Sequence, residues 1–228
     1  MGNEDSSPVV RTVNLTKVFP QSSVRALDDI NLAVTGGEFV CIKGPSGSGK
    51  STLLNTLAGL IDPTDGEVWI QGRRLQDIRN KALFRRQSIG FIFQDFYLYP
   101  DFTVLENVLL PFIRSFAFDR KLSDKARRIL TDIGMGGKLR QNVNTLSTGE
   151  RQRTCIARAI LHDPALILAD EPTGNLDSKN AVLILEILKK INTDHQATIL
   201  MVTHDEQVMH YAGRVIAIVD GKTTADSV

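Results

Sequence analysis

The sequence predicts an α/β protein with a largely parallel sheet and an inserted helical region. Short apolar runs alternate with helical patterns near both ends of the 228 residues, as is typical of parallel strands joined by helices. Between residues 97 and 161 strand patterns are absent, and apolar residues recur at helical spacing. We therefore expect a core formed by residues 9–96 and 162–228, with a helical subdomain at 97–161.

The first half of this core contains three predicted strands and one helix. Residues 30–34 alternate apolar and polar side chains, as a half-buried strand does. Residues 39–42 form a continuous apolar run, which suits a strand covered on both faces. Residues 67–70 are a further short strand, closed by Gly72. The helix follows residue 49 and is expected to bury one face, formed by Leu53, Leu54, Leu57 and Leu60.

Later in the chain, apolar runs at residues 166–169, 198–202 and 215–219 predict three more strands. In the helical region the apolar spacing is carried by Ala126, Ile129, Leu130 and Ile133. Residues 1–8 are expected to form a disordered polar tail, so that residues 9–228 make up the folded domain.

Composition and charge indicate an ordinary globular protein. The chain is 42% hydrophobic and 23% charged with a net charge of +1, and basic pairs such as Arg85 and Arg86 favour solvated faces over a nucleic-acid surface. No apolar run approaches the ~18 residues that cross a bilayer, and no signal peptide is recognisable, so a cytosolic location is expected. Cys41 and Cys155 lie in apolar and helical patterns and are expected to be buried, unpaired thiols.

Residues 44–51, GPSGSGKS, match the phosphate-binding pattern GxxxxGK[ST]. The segment lies between a predicted strand and a predicted helix, where glycines let backbone N–H groups converge on phosphate oxygens and the helix N terminus favours an anion. Lys50 is expected to reach the β- and γ-phosphates, and Ser51 to bind Mg²⁺. The predicted nucleotide contacts of this loop are Ser46, Gly47, Ser48, Gly49, Lys50, Ser51 and Thr52.

The strand at residues 166–169 is followed by two acids, Asp170 and Glu171. Adjacent side chains on a strand point to opposite sides, so we predict different roles for them. Asp170 is expected to order Mg²⁺, and Glu171 to polarise the attacking water as a general base. A pair of solvated turn acids is the alternative, which the phosphate-binding loop in the same chain disfavours.

Residues 146–153, LSTGERQR, precede a helical pattern and resemble the LSGGQ signature of ABC ATPases. The resemblance implies that Ser147, Gly149 and Glu150 contact a nucleotide held by a second copy of the chain. Thr148 replaces the first signature glycine, and Glu150 replaces the glutamine. A working site is expected, with its hydrolysis rate left open by these two changes.

Further positions are similar to the same family over nearly the whole chain. Phe19 matches the aromatic residue that stacks on adenine, Gln94 the Q-loop glutamine, and His204 the switch histidine, while residues 175–177 look like the D-loop. The resemblance implies a P-loop NTPase core of the RecA-like type and an N-terminal antiparallel β-subdomain. The implied catalytic residues are Glu171, His204, Lys50 and Gln94, and the implied metal ligands are Ser51, Gln94 and Asp170.

Residues 44–49, 105–108 and 169–178 together resemble the ATPases of macrolide exporters, lipoprotein-releasing complexes and the cell-division pair. This subgroup implies ATP and Mg²⁺ as cofactors and two partners, a second copy in an ATP-sandwich dimer and a separate transmembrane permease. No nucleic-acid partner is expected. The chain would be cytoplasmic and peripheral on the inner face of the membrane, powering export or extraction of a substrate.

Three other functions share some of these features. A mechanotransmitting ATPase that regulates an extracytoplasmic enzyme would use identical chemistry, so the sequence does not separate it from a transporter. A soluble ABC-type ATPase acting on DNA or ribosomes usually has a long coiled-coil insert or tandem cassettes, which this chain lacks. A small-molecule kinase is disfavoured by the signature segment, Gln94 and His204. At the surface, residues 96–98 are expected to dock a permease or simply to pack against a helix.

Overall fold

The computed structural model describes residues 7–21, 23–112 and 119–227; most of the predicted tail, residues 1–6, lies outside them. The strands are β1 (Val10–Phe19), β2 (Val24–Val34), β3 (Phe39–Lys43), β4 (Asp65–Ile70), β5 (Arg73–Arg74), β6 (Ile89–Ile92), β7 (Leu166–Asp170), β8 (Thr198–Val202), β9 (Arg214–Val219) and β10 (Lys222–Ser227). The α-helices are α1 (Lys50–Leu57), α2 (Lys81–Ser88), α3 (Val104–Leu109), α4 (Arg120–Asp132), α5 (Thr148–Ile160), α6 (Ser178–His195) and α7 (Glu206–Met209).

The larger sheet of the described chain has the strand order β10-β9-β3-β8-β7-β6. Its pairs are parallel except for β9 with β10, which confirms the predicted, mostly parallel α/β core. Every residue of β7 and β8 is buried, because helices cover both faces of such a sheet. The carboxyl ends of β3, β7 and β8 therefore share one edge, where ligands bind in open α/β sheets.

The smaller sheet is antiparallel, with the order β2-β1-β4-β5, as the family resemblance implied. Most of it is formed by residues of the N-terminal third of the chain. The sequence pattern did not reveal β1, because its pairing with β2 shifts register between Thr12 and Leu15 and again on both sides of Lys17. Such irregularities break the alternation of buried and exposed side chains on which strand prediction depends.

The helical region has a core of its own, in which α3, α4 and α5 pack together. Ala126 and Leu130 of α4 are fully buried there, as their spacing predicted. Helix α5 joins this core to the main one, since Ala157 packs in the helical cluster and Ile156 against the sheet. The domain bounds proposed from the sequence, 97–161 for the helical subdomain, stay a prediction.

One residue that was predicted to be buried is exposed. Leu60 was expected on the apolar face of the first helix, but α1 ends at Leu57 and Leu60 is 43% exposed. Gly59 adopts a φ of 63°, and this left-handed residue ends the helix as such glycines commonly do. The amide of Leu60 then donates to the carbonyl of Asn55, which turns its side chain away from the core.

Cys41 and Cys155 are both buried free thiols, as predicted. Burial raises the pKa of Cys41 to about 12 and that of Cys155 to about 11, so both behave as small apolar residues. Among the residues that the structure describes, no helix is both long and apolar enough to span a bilayer.

Candidate functional site

A cleft of about 680 Å³ opens where the carboxyl edge of the parallel sheet meets the antiparallel sheet. It brings together residues that are far apart in the sequence, from the first strand to the loop after β8. Its lining is formed by Phe19, Val24, Ala26, Ser46, Gly47, Gly49, Lys50, Ser51, Thr52, Gln94, Glu171 and His204. Nearly all of these were predicted site residues; Val24 and Ala26 were not.

The loop between β3 and α1 depends on glycine at two positions. Gly47 and Gly49 have φ angles of 79° and 102°, a region that residues with a side chain rarely adopt. A Cβ atom at Gly49 would also lie 2.2 Å from the carbonyl oxygen of Ala26. Gly49 is the N-cap of α1 and provides no side-chain acceptor, so the first-turn amides remain available to an anion.

Lys50 is almost fully buried at the start of α1. Its ammonium group donates to the carbonyl oxygens of Gly44 at 2.9 Å and Pro45 at 2.8 Å. A buried ammonium needs such partners, because an unpaired charge would be costly away from water. The positive charge is thus held against the loop, beside the uncapped amides of α1.

Ser51 and Asp170 meet at the base of the cleft. The Ser51 hydroxyl donates to Oδ1 of Asp170 at 3.1 Å, and burial raises the pKa of Asp170 although this hydrogen bond opposes the shift. Among the described residues no group of three or more His, Cys, Asp or Glu side chains could hold a metal ion. The Asp170 carboxylate and the Ser51 hydroxyl are oxygen donors of the kind that Mg²⁺ takes from a protein when it also binds substrate phosphates.

Glu171 lies outside the strand that was expected to set its direction. Strand β7 ends at Asp170, and Glu171 has a φ of 43° in the left-handed region. Its amide donates to the carbonyl of Val202, and its Oε1 lies 3.1 Å from Nδ1 of His204. Asp170 and Glu171 therefore have different partners, Ser51 and His204, and a backbone turn rather than the alternation of one strand separates them.

Apolar side chains form the far wall of the cleft. Phe19 ends β1 and pairs with Val24 of β2 across a short turn, and Ala26 continues the wall towards the glycine loop. The ammonium of Lys17 lies 5.2 Å from the centre of the Phe19 ring. Val24 could have been found from the sequence as the apolar residue that pairs with Phe19 across a hairpin.

Ser48 does not line the cleft, although it was predicted to contact nucleotide. Its side chain is buried behind the loop, and its carbonyl accepts from the amide of Gly221 at 3.1 Å. Gly221 follows β9, and a Cβ atom at Gly44 would lie 2.1 Å from the Ile218 carbonyl oxygen. The end of the chain thus supports the loop from behind.

Gln94 is exposed at the cleft and is tied to the segment after β7. The main-chain carbonyl oxygen of Gln94 accepts a hydrogen bond from Nδ2 of Asn175 at 3.3 Å. The predicted Q-loop and D-loop are therefore in direct contact, which the sequence did not indicate.

The signature residues are not among those that line the cleft. Ser147 is the N-cap of α5, and its hydroxyl accepts from the amide of Glu150 at 3.4 Å. The carboxylate of Glu150 accepts from the Ser147 amide at 2.9 Å, which completes a capping box, and pairs with the ammonium of Lys138 at 2.6 Å. Gly149 is buried against α6, where a Cβ atom would meet Oδ1 of Asn180 at 2.2 Å.

A second groove, of about 830 Å³, lies between the parallel sheet and the helical region. Its lining is mostly apolar and aromatic, with a few arginines, and includes Phe91, Phe93, Tyr97, Tyr99 and Arg158. The Tyr97 ring stands edge-on to Phe93 and is 63% exposed.

Comparison with known proteins identifies this combination of fold and loop. The family model described as ABC transporter matches residues 27–174. This chain belongs to the ABC transporter family, as the sequence resemblance predicted. It is an ATP-binding, ATP-hydrolysing subunit of that family.

Individual relatives narrow the resemblance. The chain is 40% identical over 224 residues to the lipoprotein-releasing system ATP-binding protein LolD of Geobacter metallireducens, covering 96% of this chain and 100% of that protein. It is 44% identical over 206 residues to the macrolide export ATP-binding/permease protein MacB of Rhodopirellula baltica, covering 88% of this chain but 30% of that longer protein. These matches confirm the predicted subgroup.

A solved structure confirms the fold class. The dimeric, post-hydrolysis state of the ATP-binding cassette MJ0796, bound to ADP and Pi, is 39% identical to the chain. The two superpose with a TM-score of 0.87 over 96% of this chain and 97% of the other.

Proposed function

We propose that the chain is the ATP-driven motor of a membrane complex that exports or extracts a substrate through a separate permease. One observation carries this proposal. The cleft gathers the glycine loop, the Ser51–Asp170 pair and the Glu171–His204 pair, whereas the signature turn stands apart from it. A complete site therefore needs the signature turn of a second chain.

ATP binds with its phosphates at the uncapped amides of α1 and its adenine on Phe19. Lys50 neutralises the phosphates, and Ser46, Gly47, Gly49 and Thr52 shape the surrounding loop. The buried position of Ser48 supports a role in holding the loop rather than direct contact. Ser51, Asp170 and Gln94 would hold Mg²⁺, which would neutralise charge on the phosphates.

Glu171 acts as the general base. It takes a proton from water as the water oxygen bonds to the γ-phosphorus, and the bond from that phosphorus to the bridging oxygen breaks, leaving ADP and phosphate. His204 contacts Glu171 and lies in the same cleft, which suits it to orient the carboxylate and to approach the γ-phosphate.

Two copies associate head to tail, so that Ser147 and Gly149 of each close over the nucleotide of the other. The dimeric relative bound to ADP and Pi supports the association of two copies. Glu150 contributes through the capping box that shapes the turn, since both of its carboxylate oxygens are engaged within the chain. ATP would close the dimer, and hydrolysis would let it open.

The permease docks in the groove beside the Q-loop. Phe93 and Tyr97 offer aromatic surface there, and Arg158 fixes the segment by donating to the carbonyls of Phe96 and Tyr97 at 2.7 and 2.6 Å. Gln94 lines the cleft and directly precedes this segment in the chain. A shift of Gln94 when nucleotide binds would therefore be passed to the groove through the backbone of the next few residues. The chain accordingly works at the cytoplasmic face of the membrane.

Mixing two inactive variants tests the composite site. Lys50→Ala removes the phosphate-binding charge, and Ser147→Ala removes the signature hydroxyl, so each homodimer has two defective sites. A mixed dimer has one site with both defects and one intact site. When the two variants are mixed equally and pair at random, about half of the dimers are mixed, and half of the sites in those dimers are intact. Hydrolysis should therefore be restored at about a quarter of all sites.

The readout is ATP hydrolysis of each variant alone and of the mixture at constant total protein. A mixture no more active than the average of its components would contradict the composite site. Exposed Glu186→Gln, tested alone and in the same mixtures, controls for nonspecific effects of substitution.

A further inference from the structure

The signature turn carries a negative charge close to where the proposed dimer would receive an anionic phosphate. Glu150 is the third residue of α5, and its Oε2 atom accepts from the amide of Ser147 at 2.9 Å. Its side chain is only 16% exposed, so water screens this charge incompletely. Like charges repel strongly at short range, and an unneutralised carboxylate there would oppose nucleotide binding.

Lys138 supplies the opposing charge. Its ammonium lies 2.6 Å from Oε1 of Glu150, while Oε2 remains on the Ser147 amide. The lysine is 37% exposed, so the pair lies at the surface beside the turn. The ion pair lowers the pKa of Glu150, which keeps the carboxylate ionised as an acceptor for the Ser147 N–H group.

The lysine also connects the turn to the helical core. It lies in a 3₁₀ turn at residues 136–138, and its amide donates to the carbonyl of Met135, whose own amide donates to Leu130 of α4. On the neighbouring residue of α5, the Arg151 guanidinium donates to the Asn144 carbonyl at 3.0 Å. The segment before the signature is therefore held to α5 by side chains on two successive residues.

We infer that Lys138 is a positioning residue for the composite ATP site. It cancels the charge of Glu150 and holds that carboxylate on the Ser147 amide, so that the turn can accept the phosphates of the nucleotide bound by the partner chain. This inference rests on the proposed head-to-tail dimer. It concerns only the signature half of the site, so nucleotide binding to the cleft of a single chain is independent of Lys138.

ATP-induced dimerisation of the Glu171→Gln chain measures the effect without turnover. Lys138→Met keeps the length of the side chain and removes its charge. The ATP concentration giving half-maximal dimerisation, measured by analytical ultracentrifugation, should rise roughly fivefold, as expected for loss of a partly exposed ion pair next to an anion. ADP affinity of the monomer should be unchanged.

A second substitution separates charge from simple loss of packing. Glu150→Gln retains an oxygen that can accept from the Ser147 amide but carries no charge, so it no longer needs Lys138. The double variant Lys138→Met, Glu150→Gln should dimerise at a lower ATP concentration than Lys138→Met alone, both in the Glu171→Gln background. Lys125→Met is the matched control, because it breaks a surface ion pair with Asp163 in the same region.

An unshifted dimerisation curve for Lys138→Met would overturn the inference, and so would a double variant as defective as the single one. Failure of the Glu171→Gln background itself to dimerise with ATP would overturn both the inference and the proposed function. Dimerisation by that background with no Lys138 effect would overturn the inference alone.

Discussion

Two neighbouring acids at the end of β7 have different chemistry because the backbone turns between them. Asp170 is the last residue of the strand and is buried with Ser51 as its donor. The backbone of Glu171 is in the left-handed region, and its side chain is partly exposed and contacts His204. The raised pKa of Asp170 reflects its burial, which favours pairing with a cation. At this scale a backbone turn separates the proposed metal ligand from the proposed general base.

Replacing Glu171 by Gln should slow turnover at least ~10²-fold while leaving ATP binding and dimerisation intact. The amide cannot take a proton from water, and a positioned general base typically contributes 10²–10⁴-fold. Steady-state hydrolysis, nucleotide titration and sedimentation measure the three properties. Wild-type turnover in this variant would contradict the assigned role.

Replacing Asp170 by Asn should stabilise the folded chain at pH 7 while removing most Mg²⁺-dependent hydrolysis. Burial raises the folded pKa above the unfolded value, so the ionised carboxylate costs stability above the folded pKa. That cost fades as pH falls towards the unfolded pKa of about 3.9. Asn still accepts from Ser51.

Thermal unfolding of both proteins across this pH range shows whether the substitution raises or lowers the stability of the fold. The Tm of the variant should exceed that of wild type at pH 7, where the buried carboxylate is ionised in the wild-type chain. The gap should narrow towards pH 4. A variant less stable at pH 7 would show that Asp170 stabilises the fold through contacts that outweigh its desolvation.

At the scale of elements, a single buried amide organises the segment that leads into the helical region. Asn107 of α3 is fully buried, its Oδ1 accepts from the Tyr99 amide at 2.7 Å, and its Nδ2 donates to the carbonyls of Tyr99, Phe102 and Thr103. Helix α3 thereby holds an irregular stretch that borders the aromatic groove. Thr103 begins the helix with a capping box completed by Glu106.

Replacing Asn107 by Leu should destabilise the chain by about 2 kcal/mol or more, because it leaves buried backbone groups without partners. Denaturant unfolding measures the loss. Amide hydrogen exchange should rise at residues 99–103, while ATP affinity changes little because the cleft lies elsewhere. Unchanged exchange in that stretch would contradict the organising role of Asn107.

Over the whole molecule, three surfaces are separated: the nucleotide cleft, the signature turn and the groove beside the Q-loop. Asn175 and Gln94 connect the segments that leave β7 and β6, and α5 runs from the signature turn between the two cores. This arrangement suits a subunit that must bind a second copy of itself on one side and a membrane protein on another. A change at the cleft can reach both contacts through short paths.

Replacing Tyr97 by Ala should weaken capture of the permease by at least about tenfold, since exposed aromatic residues in a groove often anchor interfaces. The assay uses Glu171→Gln chains with ATP on detergent-solubilised membranes, followed by mass spectrometry of the captured membrane protein. Tyr211→Ala, a partly buried tyrosine outside the groove lining, is the control. Equal recovery with both variants would place the docking surface elsewhere.

Much of this protein was predictable from local patterns. The strands at residues 39–42, 166–169 and 198–202, the phosphate-binding loop and the burial of both cysteines follow from apolar runs and from glycine spacing. These features depend on neighbours in the chain, so periodicity reveals them. The shifted register of β1 and the early end of α1 were harder to predict from the sequence. Bulges and left-handed glycines interrupt the regular spacing of apolar residues.

The class of the molecule and the residue types of its cleft follow from the order of amino acids, because a strand, a glycine loop and a helix N terminus are local features with their own chemistry. Which distant groups meet depends on the folded chain. The Glu171–His204 contact, the Asn175–Gln94 hydrogen bond and the Lys138–Glu150 ion pair depend on how separate segments of the chain are packed. No local pattern encodes such contacts, since they arise from the shared packing of two sheets and a helical core.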